Sequence, residues 1–125
     1  MATRILLLNL LLSLTLLAGC AARLEPHAPT SEAGGVRFTV KVASARSVAV
    51  AGAFNGWSAT SHPMARIGSE GPWSLVIPLA PGEQPFMYVV DGTQWLSPPQ
   101  ADDYLDDGFG NRNGVVVVRG AEGRR

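Results

Sequence analysis

The stretch Val36-Arg37-Phe38-Thr39-Val40-Lys41-Val42 alternates apolar and polar side chains without a break. A helix repeats its faces about every 3.6 residues, so a period of two cannot lie on one. It places Val36, Phe38, Val40 and Val42 on one face of a half-buried strand. Further strand-like runs follow. Ser47–Gly52 holds small residues where backbones can approach closely, and Trp73–Leu79 puts Trp73, Leu75, Ile77 and Leu79 on one face, with Pro78 marking an edge or a strand end. Pro81-Gly82-Glu83 is a turn signal, Gln84–Val90 is a strand closed by Asp91-Gly92, Gln94–Leu96 is short enough to pair back, and Gly114–Arg119 is the last strand. Short strands separated by turn residues, with no helical periodicity after Val36, predict an all-β fold. The expected architecture is an Ig-like β-sandwich of about seven strands over residues 36–119, with 120–125 as a disordered charged tail.

The first part of the chain reads differently. Arg4 is followed by the apolar run Ile5–Leu17 and then by the small residues Ala18 and Gly19. A charged start, an apolar middle and a small-residue cut site are the anatomy of an export signal. The run falls short of the roughly 20 residues that span a bilayer. Leu17-Ala18-Gly19-Cys20 resembles the bacterial lipobox, which implies cleavage after residue 19 and lipidation of Cys20. It also accounts for the chain's one cysteine, which has no partner for an internal disulfide. Each buried acyl CH₂ contributes about 0.8 kcal/mol, so several chains hold a small domain on a membrane. The expectation is a lipoprotein signal helix over 1–19 and a lipidated flexible tether over 20–35, rich in Ala, Pro, Gly and polar residues. The localisation implied is the bacterial cell envelope; Ala21, rather than an aspartate after the cysteine, resembles the outer-membrane address of enteric bacteria.

Within residues 36–119 several motifs occur in a fixed order: Val50-Ala51-Gly52-Ala53-Phe54-Asn55-Gly56-Trp57-Ser58, then Pro63-Met64, then Gly71-Pro72-Trp73 through Pro81-Gly82-Glu83, then Phe86–Gly92, Trp95-Leu96-Ser97-Pro98 and Asp107–Val115. This order resembles the glycogen-binding domain of the AMP-activated protein kinase β subunit and the early-set module at the N-terminus of isoamylases and glycogen branching enzymes. The resemblance implies an early-set variety of the sandwich and a non-catalytic, glycan-binding role, with an α-glucan or an envelope polysaccharide as ligand. It matches the family's two platform tryptophans to Trp57 and Trp95, its loop asparagine to Asn113 with Asn111 nearby, and the apolar residue leaning on the sugar ring to Phe109. One position departs: the lysine usual before the Val-Asp-Gly turn is Met87 here, which removes a charged hydrogen bond of about 1.5–3 kcal/mol.

The chemistry of these residues suits a sugar. An indole presents a flat, electron-rich face to the C–H face of a pyranose, and an amide donates and accepts at once, as vicinal hydroxyls require. Each residue also has a structural reading. Trp57 could cover the core, Asn111 and Asn113 could only shape a loop, and Asn55 and Gly56 are turn formers. Trp73, Phe54 and Tyr88 read as core. The competing function is an envelope protein-interaction module that docks a partner on the same aromatics, because fold alone does not choose a ligand.

Other chemistries find little support. Ten basic residues balance ten acidic ones, with no basic cluster of the kind that grips nucleic acid. His62 has no acid partner or nucleophile in register. Asp102, Asp103, Asp106 and Asp107 do not follow EF-hand spacing and read as a solvated acidic turn. No enzyme, metal site or cofactor is expected.

Overall fold

A computed structural model describes residues 28–120. The leader, Cys20 and the tether up to residue 27 lie outside the described residues, as does the tail from residue 121. Nine strands and one 3-10 turn follow in order: β1 (Thr30–Glu32), β2 (Gly35–Val40), β3 (Val48–Gly52), the 3-10 turn (Ala53–Asn55), β4 (Ala65–Arg66), β5 (Trp73–Ile77), β6 (Gly82–Val90), β7 (Gln94–Leu96), β8 (Asp103–Asp106) and β9 (Arg112–Val118). They form two antiparallel sheets, ordered β1-β2-β5-β4 and β3-β6-β9-β8, with β7 also paired to β6. The all-β sandwich expected from the alternation is the fold observed.

Alternation decides which face each strand buries. Val36, Phe38 and Val40 of β2 are buried, while the residues between them are only partly covered. Trp73 and Ile77 of β5 complete the inner face of the first sheet, and Val48, Val50, Phe86, Tyr88, Val90 and Val116 face them from the second. Aromatic rings knit the layers: Phe38 meets Phe86 edge-on at 5.0 Å between centroids, and Phe86 meets Tyr88 at 5.6 Å. Such pairs contribute about 0.5–1.5 kcal/mol beyond their buried area. Phe54, read as core, is only partly buried but packs against this cluster.

Three strands were not expected. Thr30–Glu32 falls within the stretch read as tether, yet it pairs with β2, and Arg37 closes the pair by donating from Nε and Nη2 to the two carboxylate oxygens of Glu32 at 2.8 and 2.7 Å. The folded unit therefore begins before residue 36. Ala65–Arg66 adds a two-residue edge to β5. Asp103–Asp106, read as a solvated acidic turn, is the edge strand β8 on β9. Aspartates at both of its ends put charge on an exposed edge, a common protection against unwanted pairing. Its composition hides it because no apolar alternation is needed where only one face is covered, and thinly.

The pairing of β6 places the site. One of its edges carries β3 along Phe86–Val90. The other carries two strands end to end: β9 along Gly82–Phe86, then β7 along Tyr88–Val90. Met87 lies at the junction, between Phe86, which is opposite Gly114, and Tyr88, which is opposite Leu96. Gly114 is required there, because an added Cβ would stand 2.6 Å from Cγ of Pro98 and 3.2 Å from Cε1 of Phe86.

The central position of Phe38 (0% exposed, against Phe86 and Phe54) gives a stability test. Phe38→Ala removes the ring joining both sheets and is expected to lower unfolding stability by about 3–5 kcal/mol, read as a reduced urea midpoint with an unchanged m-value.

Candidate functional site

The outer face of the second sheet, turned away from the sandwich core, carries Ala49 and Ala51 of β3 and Val89 of β6, all buried. A hydrophobic outer face needs a cover, and Trp57 and Ala59 of the loop after β3 supply it. Asn55 holds that loop. Its Oδ1 accepts from the backbone N–H groups of Gly52 (3.0 Å) and Ser58 (3.2 Å), and its Nδ2 donates to the Val50 carbonyl (3.0 Å). The same amide lies 2.9 Å from Nδ1 of His62. An amide nitrogen only donates, so this ring nitrogen accepts, and His62 serves as a structural neighbour of the loop. The backbone N–H of Trp57 donates to the Gly52 carbonyl at 2.9 Å. Gly56 and Trp57 both adopt left-handed backbone, with φ of 65° and 60°. A bulky residue in that region is uncommon and costs of the order of 1–2 kcal/mol. The surrounding hydrogen bonds hold the backbone there, and the indole packs on Ala49, Ala51 and Val89.

Trp95 comes from β7, opposite Val89, so it rises from the same outer face and is 45% exposed. β7 owes its position to the preceding turn. Asp91 (φ 52°) and Gly92 (φ 78°) reverse the chain, and the Asp91 carboxylate accepts from the N–H groups of Arg46 and Ser47 at 2.7 and 3.1 Å. Those two bonds, the first the stronger, hold the Asp91 carboxyl below its ordinary value.

The third contribution is the loop between β8 and β9. Oδ1 of Asp107 accepts from the N–H groups of Phe109 (2.7 Å) and Asn111 (3.1 Å), and the Asp107 N–H donates to the Asn111 carbonyl (3.0 Å). Glycines at 108 and 110, with φ of 82° and 89°, allow so tight a loop. The hydroxyl of Ser97 donates to the Arg112 carbonyl at 2.6 Å, tying the segment after β7 to the start of β9.

These three elements enclose an open cleft of about 260 Å³, lined by Trp57, Met87, Trp95, Asp107, Asn111 and Asn113. Met87 lies at the junction between β7 and β9, with an indole contributed from either side of it. Four of the five residues expected at the site are thus brought together. Phe109 stands apart: it is 90% exposed at the loop tip and outside the lining, while its backbone N–H donates to Asp107. Asp107 itself was read as part of a solvated acidic turn. An Asp followed by Gly-Phe-Gly-Asn is an Asx-turn signature, which could have marked it as the loop's organiser. Among the described residues, no group of three or more His, Cys, Asp or Glu side chains converges to hold a metal.

A family model described as carbohydrate-binding module 48 (isoamylase N-terminal domain) matches residues 23–107. The chain belongs to this family. Relatives of the module 48 region here include a 1,4-alpha-glucan branching enzyme of Streptomyces coelicolor, 50% identical over 52 residues, which are 40% of this chain and 7% of that one. Another, of Rhizobium johnstonii, is 45% identical over 69 residues (54% and 9%). That of Pseudomonas aeruginosa is 38% identical over 87 residues (69% and 12%). The matched segment is thus about a tenth of these enzymes' length. The resemblance read from the motif order to the isoamylase and branching-enzyme module holds. The module 48 match ends at Asp107, so Trp57, Met87, Trp95 and Asp107 lie inside it, and Asn111 and Asn113 reach the cleft from beyond it.

Two substitutions test this geometry. Asn55→Ala removes three side-chain hydrogen bonds to backbone and is expected to lower stability by about 1–3 kcal/mol and to red-shift tryptophan emission as Trp57 is released. Asp91 supplies a pH test. Its folded value is depressed, so its contribution is complete above the ordinary 3.8 and is lost as pH falls through the lower folded value. Asp91→Asn is expected to narrow the stability difference between pH 6 and pH 3, as measured by thermal melts.

Proposed function

We propose that this protein is a non-catalytic glycan-binding module for α-glucan-like chains, displayed at the bacterial cell envelope by a lipid on Cys20. The observation that carries the ligand reading is the cleft: two indoles from different elements, Trp57 and Trp95, share it with the amides of Asn111 and Asn113. Stacking supplies most of the affinity, since each indole offers a large apolar face with few rotors to freeze. The asparagines then orient the chain through its equatorial hydroxyls. The names of the relatives, 1,4-alpha-glucan branching enzymes, support an α-glucan as the polymer. A non-catalytic role is supported by the lining, which contains a single carboxylate, whereas glycoside hydrolysis ordinarily employs two placed across the bond. The anchor is supported by Leu17-Ala18-Gly19-Cys20 behind an apolar run.

The test is tryptophan fluorescence of the full chain, purified in a detergent without a sugar headgroup and titrated with maltoheptaose and β-cyclodextrin. A saturable change is expected, weakened about 30-fold or more (~2 kcal/mol) in Trp95→Ala. That variant is the cleaner of the two, because Trp57 also covers Ala49, Ala51 and Val89. Absence of any change up to millimolar sugar would end the α-glucan reading and favour a protein ligand for the same aromatics. For the anchor, Cys20→Ser is expected to move the protein from the membrane pellet to the soluble fraction; an unchanged pellet would refute lipidation at that residue.

A further inference from the structure

The cleft has one charged group in its lining, the carboxylate of Asp107, and no cation. The nearest basic side chain along the chain is Arg112, and it is engaged elsewhere. Its guanidinium lies 4.8 Å from the Tyr104 ring centre and its Nε lies 3.8 Å from Asp106 Oδ1. In the β8–β9 register, Arg112 faces Asp106 and Gly114 faces Tyr104, while Asn113 faces Leu105. Alternation therefore turns Arg112 to the opposite face from Asn113. Asp103, opposite Val115, shares the face of Asn113 and adds negative charge. Asp102, whose Oδ2 accepts from the Val117 N–H, lies outside the lining. The Asp91 carboxylate accepts from the backbone N–H of Arg46 beyond the end of β6 and lies outside the lining.

The N–H of Phe109, and then that of Asn111, hold the Asp107 carboxyl below the ordinary range, which favours its charged form. Both of those bonds go to Oδ1, and the Asn111 side chain also lies close enough to the carboxylate to favour its charged form. A carboxylate oxygen is a strong acceptor and cannot donate. The groups that suit it are sugar hydroxyls and, above all, a protonated amine. The groups it repels are carboxylate, phosphate and sulfate.

We infer that Asp107 is a specificity residue which makes the cleft select by charge: it accepts neutral glycans, favours amino-substituted ones and rejects anionic ones. The inference rests on the glycan reading of the same cleft and narrows it. Uronate-bearing and phosphorylated envelope polysaccharides are disfavoured as ligands where their charge falls beside Asp107, and a negative charge elsewhere on a long chain is tolerated.

The experiment compares three ligands of one shape: β-cyclodextrin and its forms carrying amino or carboxyl groups in place of the primary hydroxyls. Each is titrated calorimetrically into the full chain at low salt and at about 1 M salt. The expected order is amino, then neutral, then carboxyl, with about three- to tenfold between neighbours at low salt and a compressed spread at high salt. Asp107→Asn keeps the Oδ1 acceptor that caps the loop while removing the charge, and is expected to bring all three ligands close to the neutral affinity. Asp103→Asn, outside the lining, leaves the order intact. Neutral cyclodextrin binding with no order among the three would overturn charge selection and leave the glycan reading standing, as would an order that survives Asp107→Asn. Failure of all three to bind would overturn both.

Discussion

The backbone pairing of β6 on both its edges holds the molecule together. Along Phe86–Val90 it bonds to β3 on one side, and on the other it bonds first to β9 and then to β7. Because β9 and β7 are laid end to end, the second sheet has an internal junction at Met87. Side chains alternate along β6. Phe86, Tyr88 and Val90 therefore enter the core shared with β2 and β5, while Met87 and Val89 emerge on the outer face. One strand thus supplies the centre of the core and the floor of the cleft. Its residues from Phe86 to Val90 are all buried, which is the signature of a strand covered on both sides.

Two short polar side chains then do comparable jobs on either side of the junction. Asn55 gathers two N–H groups and a carbonyl of the loop that presents Trp57. Asp107 gathers the two N–H groups of the loop that presents Asn111 and leads to Asn113. In both loops glycine or left-handed backbone is unavoidable, and in both the side chain satisfies donors that a turn would otherwise leave without partners. A ligand meets groups already fixed in place, so little ordering entropy is lost on binding. The left-handed backbone of Trp57 stores local strain that the Asn55 hydrogen bonds hold, and strain of this kind tends to concentrate at functional sites.

Much of this was legible in the chain. The alternation of Val36–Val42 announced β2 and its buried face, the run Gln84–Val90 announced β6, and Asp91-Gly92 announced the reversal that carries Trp95. The motif order also marked Trp57, Trp95, Asn111 and Asn113. Less legible were the elements whose stability is borrowed. β1 is Thr-Ser-Glu, with no apolar face, and it exists because β2 offers an unpaired edge and Arg37 binds Glu32. β8 is acidic and is carried by β9. Phe109 differs from the other four expected residues: its N–H caps Asp107, and its ring stands exposed at the loop tip, outside the lining.

What the sequence determined by itself was periodicity, turn chemistry and the kinds of side chain available. Those are local properties, set by the chirality of the backbone and by the spacing of apolar groups. What only the tertiary structure decided was convergence. Trp57, Met87, Trp95 and Asn113 are separated along the chain and meet because β7 and β9 share one edge of β6. The charge of the cleft was decided in the same way. Asp107 is one of several neighbouring aspartates in the sequence; its local turn signature marks it as a loop organiser, but only the folded loop brings it to the lining of the site. Strand register, a long-range property, turns Arg112 to the face opposite Asn113.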